Sequence, residues 1–355
     1  ESTHEKSVFA ESHALENSYI RAEFNDKGEV ISLWDKQAQR EVLMAGEVGN
    51  KFQLYEDQPG KYDAWDIVAS YVDYEMPITG TSSLTIDENG ALRASLKLVR
   101  ECYDSTITQR ISLGVDSPQL TFETEIDWVE RQKLLKVGFP VTVNSRHATY
   151  DIAYGNIERA THRNNSYDKA RFEVPAHWWM DISEADYGVA LLNDSKYGHE
   201  AHGNWMRLTL LKGSISPDPV ADMEVHHFTY VLYPHQGSWR EANVIGESMK
   251  LNVPLYTRRT ALDIGQNSML RCDAPNLTLE AMKRSENGDY LIIRLVEQHN
   301  QHTQSRLHFQ QSLSEVYRCD LMENIEEALN SDGKSVKITV KPNEIVTLAI
   351  KLAKN

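Results

Sequence analysis

The chain has 355 residues, 41% of them hydrophobic and 25% charged, enough for a sizeable core in two or three units, or in one large β unit and a smaller one. Acidic residues number 52 and basic ones 37, and the formal charge of −15 argues against partners that need a basic stripe, nucleic acid and anionic membrane surfaces alike, while a neutral ligand such as a sugar fits. The odd count of three cysteines (Cys102, Cys272, Cys319), with no Cys-x-x-Cys pair, points away from a disulfide framework and towards a reducing cytoplasm, and no apolar run approaches membrane-spanning length.

The first residues, ESTHEKSVFAESHAL, are polar, lack the apolar stretch of a signal peptide and do not start with Met. They read as a linker remnant over 1–14, cut from something longer. From 19 to 24 polar and apolar residues alternate, as in a strand with one buried face. Asn25-Asp26-Lys27-Gly28 turns the chain into a return strand over 30–34. The stretch 49–67, GNKFQLYEDQPGKYDAWDI, begins as a strand but breaks at Pro59-Gly60, which leaves Tyr62, Asp63, Trp65 and Asp66 on a loop. An aromatic ring flanked by carboxylates is how proteins hold sugars: the ring stacks on C–H faces and the carboxylates accept from hydroxyls. The competing reading is a core Trp with solvated acids.

Strands then follow quickly over 83–86, 91–100, 106–113, 119–128 and 133–143, with turn residues between them, which signals antiparallel sheets. Pro175 after Phe172-Glu173-Val174 demotes that strand to an edge or a bulge. Further strands are expected over 187–192, 205–211 and 228–233. A helix is expected over 239–251, with Ser238 as its N-cap and Val253-Pro254 as its stop. Residues 257–273 read as a connector. Six strands after it, over 277–283, 290–297, 304–310, 314–320, 336–340 and 345–351, read as a separate small sandwich.

The chemistry-bearing groups are scattered. His199-Glu200-Ala201-His202 lacks the i, i+4 histidine spacing of a zinc-protease helix, and Gly198 and Gly203 argue against a helix there. His226 and His227 are adjacent near a strand, so they point to opposite faces and do not share an ion. Two carboxylate pairs have the makings of glycosidase chemistry, Asp218 with Asp222 and Asp63 with Asp66, although spacing alone does not separate such pairs from solvated loop acids. His177, Trp178 and Trp179 lie on one stretch, and Lys212 precedes the Asp218 loop.

Several ordered blocks resemble the C-terminal β region of glycoside hydrolase family 38, the retaining α-mannosidases, closest to its cytosolic and bacterial branch. They are LENSYIRAEFNDKGEVISLWDKQAQREV (15–42), GNKFQLYEDQPGKYDAWDI (49–67), RNNSYDKARFEVPAHWWMDISEADYGVALLNDSKYG (163–198), SPDPVAD (216–222), HHFTYVLYPHQGSW (226–239) and the tail IVTLAIK. The resemblance implies an all-β chain: a galactose-mutarotase-like supersandwich over 15–256, then a small β-sandwich over 257–355. It further implies a catalytic N-terminal domain that this chain does not contain. That domain holds the nucleophilic Asp and the zinc ligands, so this chain is expected to carry no cofactor, no catalytic residue and no activity alone.

In the family the β region lends side chains to the mannoside pocket. By position, Lys212, Asp218 and Asp222 resemble the segment that brings a basic residue towards substrate, and Asn50, Asp63, Trp65 and Asp66 resemble a second contributor. His177 is a further substrate-binding candidate. An alternative gives Arg171, Glu173 and His177 to a domain interface. The expected partners are an α-mannoside or mannose oligosaccharide, the catalytic domain itself and further copies of the chain in a homo-oligomer. Two other functions compete: an aldose epimerase using His177 with Glu173 or Asp181, and a carbohydrate-binding module using Trp65, Trp178, Trp179 and Trp205.

Overall fold

The structure, a computed structural model, describes residues 7–260 and 267–353. It divides into two compact units, one of Glu1–Asp151 with Ile157–Leu255 and one of Ile152–Asn156 with Tyr256–Asn355. The all-β class is as expected, a layered supersandwich followed by a small sandwich. Positions 261–266 of the anticipated connector lie outside the described residues, as do 1–6 of the anticipated linker. From Val8 onward the linker reading fails. Val8–Glu11 is a strand paired with Ala14–Asn17, and Val8 and Ala10 are buried. Its short alternation, VFAE, fits that burial.

The larger unit has three sheets. A five-stranded meander runs in chain order from Val8–Glu11 to Arg40–Glu41. A nine-stranded sheet includes, side by side, Trp179–Ser183, Tyr187–Asn193, Val225–Gln236, Leu120–Asp127, Ser105–Gly114, Arg93–Cys102 and Ser82–Asn89. A six-stranded sheet runs Val174–Pro175, Gly198–His202, Trp205–Lys212, Lys133–Pro140, Lys51–Glu56 and Glu75–Met76. All three contribute to one core, with Ile20, Phe24, Leu96, Phe122, Val137, Phe139, Leu208 and Tyr230 among its members. Pro175 does sit on an edge strand, where its missing N–H costs no ladder bond.

The opposite face of the nine-stranded sheet is covered by a helix at Val244–Asn252, which buries Val244 and Ile245 against Trp179, Leu192, Val231 and Trp239. This helix starts later than expected. Asn243 is left-handed at φ 53°, which ends any helix begun at 239, and Ser238 instead bonds to Glu241 in the preceding turn.

The smaller unit is a sandwich of a three-stranded and a five-stranded sheet around Ile293, Leu295, Leu307, Val336 and Leu348. All six expected strands are present with shifted ends, and Leu270–Cys272 and Ile325–Ala328 are added at sheet edges. Glu297, a fully buried carboxylate, ties three loops. Oε1 accepts from Asn276 Nδ2 (2.7 Å) and His299 N (2.8 Å), and Oε2 from Gln301 N (3.1 Å) and Asn343 N (2.9 Å). Glu297→Gln turns one acceptor into a donor facing donors, so this unit should lose about 1.5–3 kcal/mol. All seven tryptophans lie at or before Trp239, so the loss should appear in a circular-dichroism transition that Trp fluorescence does not follow.

Candidate functional site

The strand Lys133–Pro140 reads KLLKVGFP and is buried almost throughout, as befits an interior strand of the six-stranded sheet. Lys136 sits in the middle of that apolar run, with its side chain fully buried. Its Nζ donates to Glu173 Oε2 (2.7 Å), Glu200 Oε2 (2.9 Å) and Tyr71 Oη (2.8 Å). Glu200 Oε1 accepts from Arg163 Nη2 and Arg207 Nη1, both at 3.0 Å, and Thr209 Oγ1 donates to Glu173 Oε2 at 2.8 Å. Burial alone would raise the Glu200 carboxyl and lower the Lys136 ammonium. The opposite charges outweigh burial on both sides, so Glu200 is held below the usual carboxylate range and Lys136 above the usual ammonium range.

Above this network lies an open depression of about 450 Å³, lined among others by Trp65, Asp66, Phe172, Glu173, Tyr197 and Gly198. Trp65 is 73% exposed and Tyr197 61%. Ile67 and Phe172 pack on buried Tyr55, Tyr71 and Leu134. Glycine at 198 is what lets the wall close, since a Cβ there would stand 2.6 Å from Glu173 Oε1 and 2.8 Å from Thr209 Cβ.

The loop that presents Trp65 is pinned by two buried carboxylates. Asp63 Oδ2 accepts from Ile215 N (2.5 Å) and Ser216 N (3.2 Å), and Ala64 N donates to Ser216 O (3.2 Å). Asp57 Oδ2 accepts from Lys212 Nζ. Burial pushes the Asp57 carboxyl up despite Lys212, and the charges of Asp63 and Glu173 add to the shift. Asp63 therefore acts as a clasp between two loops, and the ammonium of Lys212 is committed to Asp57 rather than standing free.

The structure thus brings Trp65 and Asp66 together in one depression, with Asp63 beneath their loop. His177 lies beside it, its ring edge-on to Tyr197 at 5.6 Å. Asp218 and Asp222 are exposed and do not line the depression. Asp218 Oδ1 caps Val220 N (3.0 Å), and Asp222, at φ 60°, accepts at its carbonyl from His226 Nε2 (2.8 Å).

Asn50 needs correction. It is fully buried in the core, where Nδ2 donates to Gly28 O (3.0 Å) and Gln109 Oε1 (2.8 Å), and Oδ1 accepts from Tyr230 Oη (2.6 Å). A residue saturated in this way has no bond to offer a ligand. Asn50→Ala should destabilise the larger unit by about 1–3 kcal/mol, the cost of leaving buried partners unsatisfied. Urea unfolding followed by Trp fluorescence should show that loss, with sugar affinity unchanged.

The epimerase pairing also finds no support. Asp181 is buried, bonded to His235 Nε2 (2.8 Å) and Ser183 Oγ (2.5 Å), while Glu173 is bound to Lys136 and Thr209. Trp179 is a core residue, which removes it as a sugar platform. His199 lies on a strand, not a helix, and is buried and bonded to Asn193 and Tyr197. Among the described residues no three or more His, Cys, Asp or Glu side chains converge as a metal ion requires. Among the described residues no helix is long and apolar enough to cross a membrane.

Sequence reading missed the Lys136 network and Tyr197. The lone Lys in LLKVGF was the available signal, because a lysine inside a continuous apolar run must find buried partners.

An all-β chain with an aromatic and acidic depression is of the kind that serves carbohydrate enzymes, and the comparisons agree: the chain belongs to glycosyl hydrolase family 38. The family's C-terminal domain matches residues 15–220, and its C-terminal beta sandwich domain matches residues 276–348. Human Alpha-mannosidase 2C1 is 37% identical over 347 residues, which cover 95% of this chain and 33% of that protein. Alpha-mannosidase G of Dictyostelium discoideum is 33% identical over 355 residues, covering 94% and 32%. The chain therefore spans about a third of the length of these relatives. In fold it is similar to an α-mannosidase from Enterococcus faecalis V583, with a TM-score of 0.78 at 16% identity over 97% of this chain and 43% of that one.

Proposed function

We propose that this chain is the β portion of a retaining α-mannosidase that removes terminal α-D-mannosyl residues, and that it completes the substrate pocket of a separate catalytic portion. The observation that carries this reading is the depression itself, where exposed Trp65 and Asp66 sit on a loop fastened by Asp63 and by the Lys212–Asp57 pair. Trp65 offers a stacking face and Asp66 a hydroxyl acceptor, the two elements of sugar recognition. Tyr62, Val72 and Tyr74 on the same stretch are also exposed, as suits a surface that a partner covers. That partner is the catalytic portion, which supplies the nucleophile and any zinc. His177, beside Tyr197, and Asp218 and Asp222, on a loop outside the lining of the depression, are proposed as further contacts of the assembled pocket. Three free cysteines fit a reducing, cytoplasmic setting.

The test is to assemble this chain with a catalytic portion and follow hydrolysis of an aryl α-D-mannoside. Turnover is expected only when both are present. Trp65→Ala should raise KM by about tenfold, equivalent to one lost aromatic contact of ~1–1.5 kcal/mol. Hydrolysis by this chain alone, or a catalytic portion equally active without it, would overturn the reading.

A further inference from the structure

The depression contains one acceptor that the fold holds firmly in place. Glu173 stands in its wall with a side chain 13% exposed. Oε2 is fully engaged, by Lys136 Nζ and Thr209 Oγ1. Oε1 has no partner among the described residues, and Gly198 leaves room beside it where any Cβ would collide. Lys136 and Glu200 are buried behind this carboxylate, with Arg207 and Arg163 partly buried on Glu200, so the lysine that holds Glu173 is itself held by a charged network. A structural ion pair needs only one oxygen. Glu173 shares with two exposed aromatic residues, Trp65 and Tyr197, the lining of a hollow of about 450 Å³, a volume in the range of small-molecule sites.

From this geometry we infer that the depression is a hexose subsite in which Glu173 Oε1 accepts a hydrogen bond from a sugar hydroxyl, with Trp65 and Tyr197 as its aromatic walls. The inference deepens the reading above and rests on it for the choice of mannose. An ionised acceptor facing a hydroxyl donor makes a charge-assisted bond, stronger than one between neutral groups. Its position is set before the ligand arrives, because Lys136 and Thr209 hold the carboxylate in place, so little is lost to ordering on binding. Glu173 is thus a specificity-determining residue, and Lys136 a positioning residue that acts through it.

The experiment is ligand-observed NMR titration, on the chain assembled with its catalytic portion, of methyl α-D-mannoside and its 2-, 3-, 4- and 6-deoxy analogues. The wild-type protein should bind at least one deoxy analogue about tenfold more weakly than the parent. In Glu173→Gln the parent should weaken by about the same factor, and that analogue should lose nothing further. A purely structural Glu173 would leave the ranking of the analogues as in wild type, and that outcome overturns the inference. Tyr197→Ala, at an exposed position, guards against a misfolded Glu173 variant: it should weaken all five sugars by about fivefold, and an unchanged affinity counts against the subsite. The two readings fail separately. Hydrolysis with a Glu173-independent binding pattern removes the subsite alone, whereas a Glu173-dependent pattern without hydrolysis removes the mannosidase reading alone.

Discussion

Lys136→Met should cost the larger unit about 3–5 kcal/mol, the range for breaking a buried ion pair by removing one partner. Methionine is unbranched and of similar length to lysine, so the penalty is chiefly one of lost charge pairing. It comes from Glu200 and Glu173, which lose the ammonium that donates to both, and from Tyr71, whose Oη loses the donor at 2.8 Å. Arg163 and Arg207 still hold Glu200 Oε1, so Glu200 keeps part of its compensation. Glu173 has only Thr209 left. A second substitution, Glu173→Gln, should therefore recover part of the loss, whereas independent sites would simply add. Urea unfolding read by Trp fluorescence is the measurement, because every tryptophan belongs to this unit. If Lys136→Met shifted the midpoint no more than a surface Lys substitution does, the network would not be holding the sheet or the wall of the depression.

The network explains what was legible in the sequence and what was not. Strands read well where burial alternates or runs unbroken, as in Ser105–Gly114 and Tyr187–Asn193, since side-chain period alone decides which face is wet. The Trp65 loop read well because Pro59 and Gly60 break the strand before it. Asn50 misled because an amide beside a binding loop looks the same in sequence whether it faces solvent or three core partners. Lys212 misled for a related reason: its partner Asp57 lies far away along the chain, and only the pairing of strands brings them together. The helix start at 239 misled because the left-handed turn at Asn243 leaves no unambiguous mark in Trp-Arg-Glu-Ala-Asn. In the sequence Glu173 reads only as an interface or epimerase residue, since nothing local tells that one of its oxygens is held by a lysine 37 positions earlier and the other is free.

The pH dependence of stability isolates one more buried group. His199 is fully buried, its Nδ1–H donating to Tyr197 O (3.1 Å) and its Nε2 accepting from Asn193 Nδ2 (3.3 Å). That pairing requires the neutral ring, and burial holds its pKa down at about 4. An unfolded imidazole titrates near 6.5, so between about 6.5 and about 4 the unfolded chain binds a proton that the folded chain refuses. Stability should therefore fall as pH drops through that window, by about 2 kcal/mol between pH 7 and pH 5. His202, exposed and likewise lowered by partial burial and by the charge of Arg163, adds a change of the same sign that solvent screens. Asp57, raised by burial, acts in the opposite direction above the ordinary carboxylate value. Glu200, held low, releases its contribution only as pH falls below about 4.5. A comparison of variants cancels these shared contributions. Glutamine at 199 offers one donor and one acceptor without a titrating proton, so His199→Gln should flatten most of the slope between pH 7 and pH 5 in urea midpoints read by Trp fluorescence. An equal slope in both proteins would place the proton-linked group elsewhere and leave His199 as packing alone.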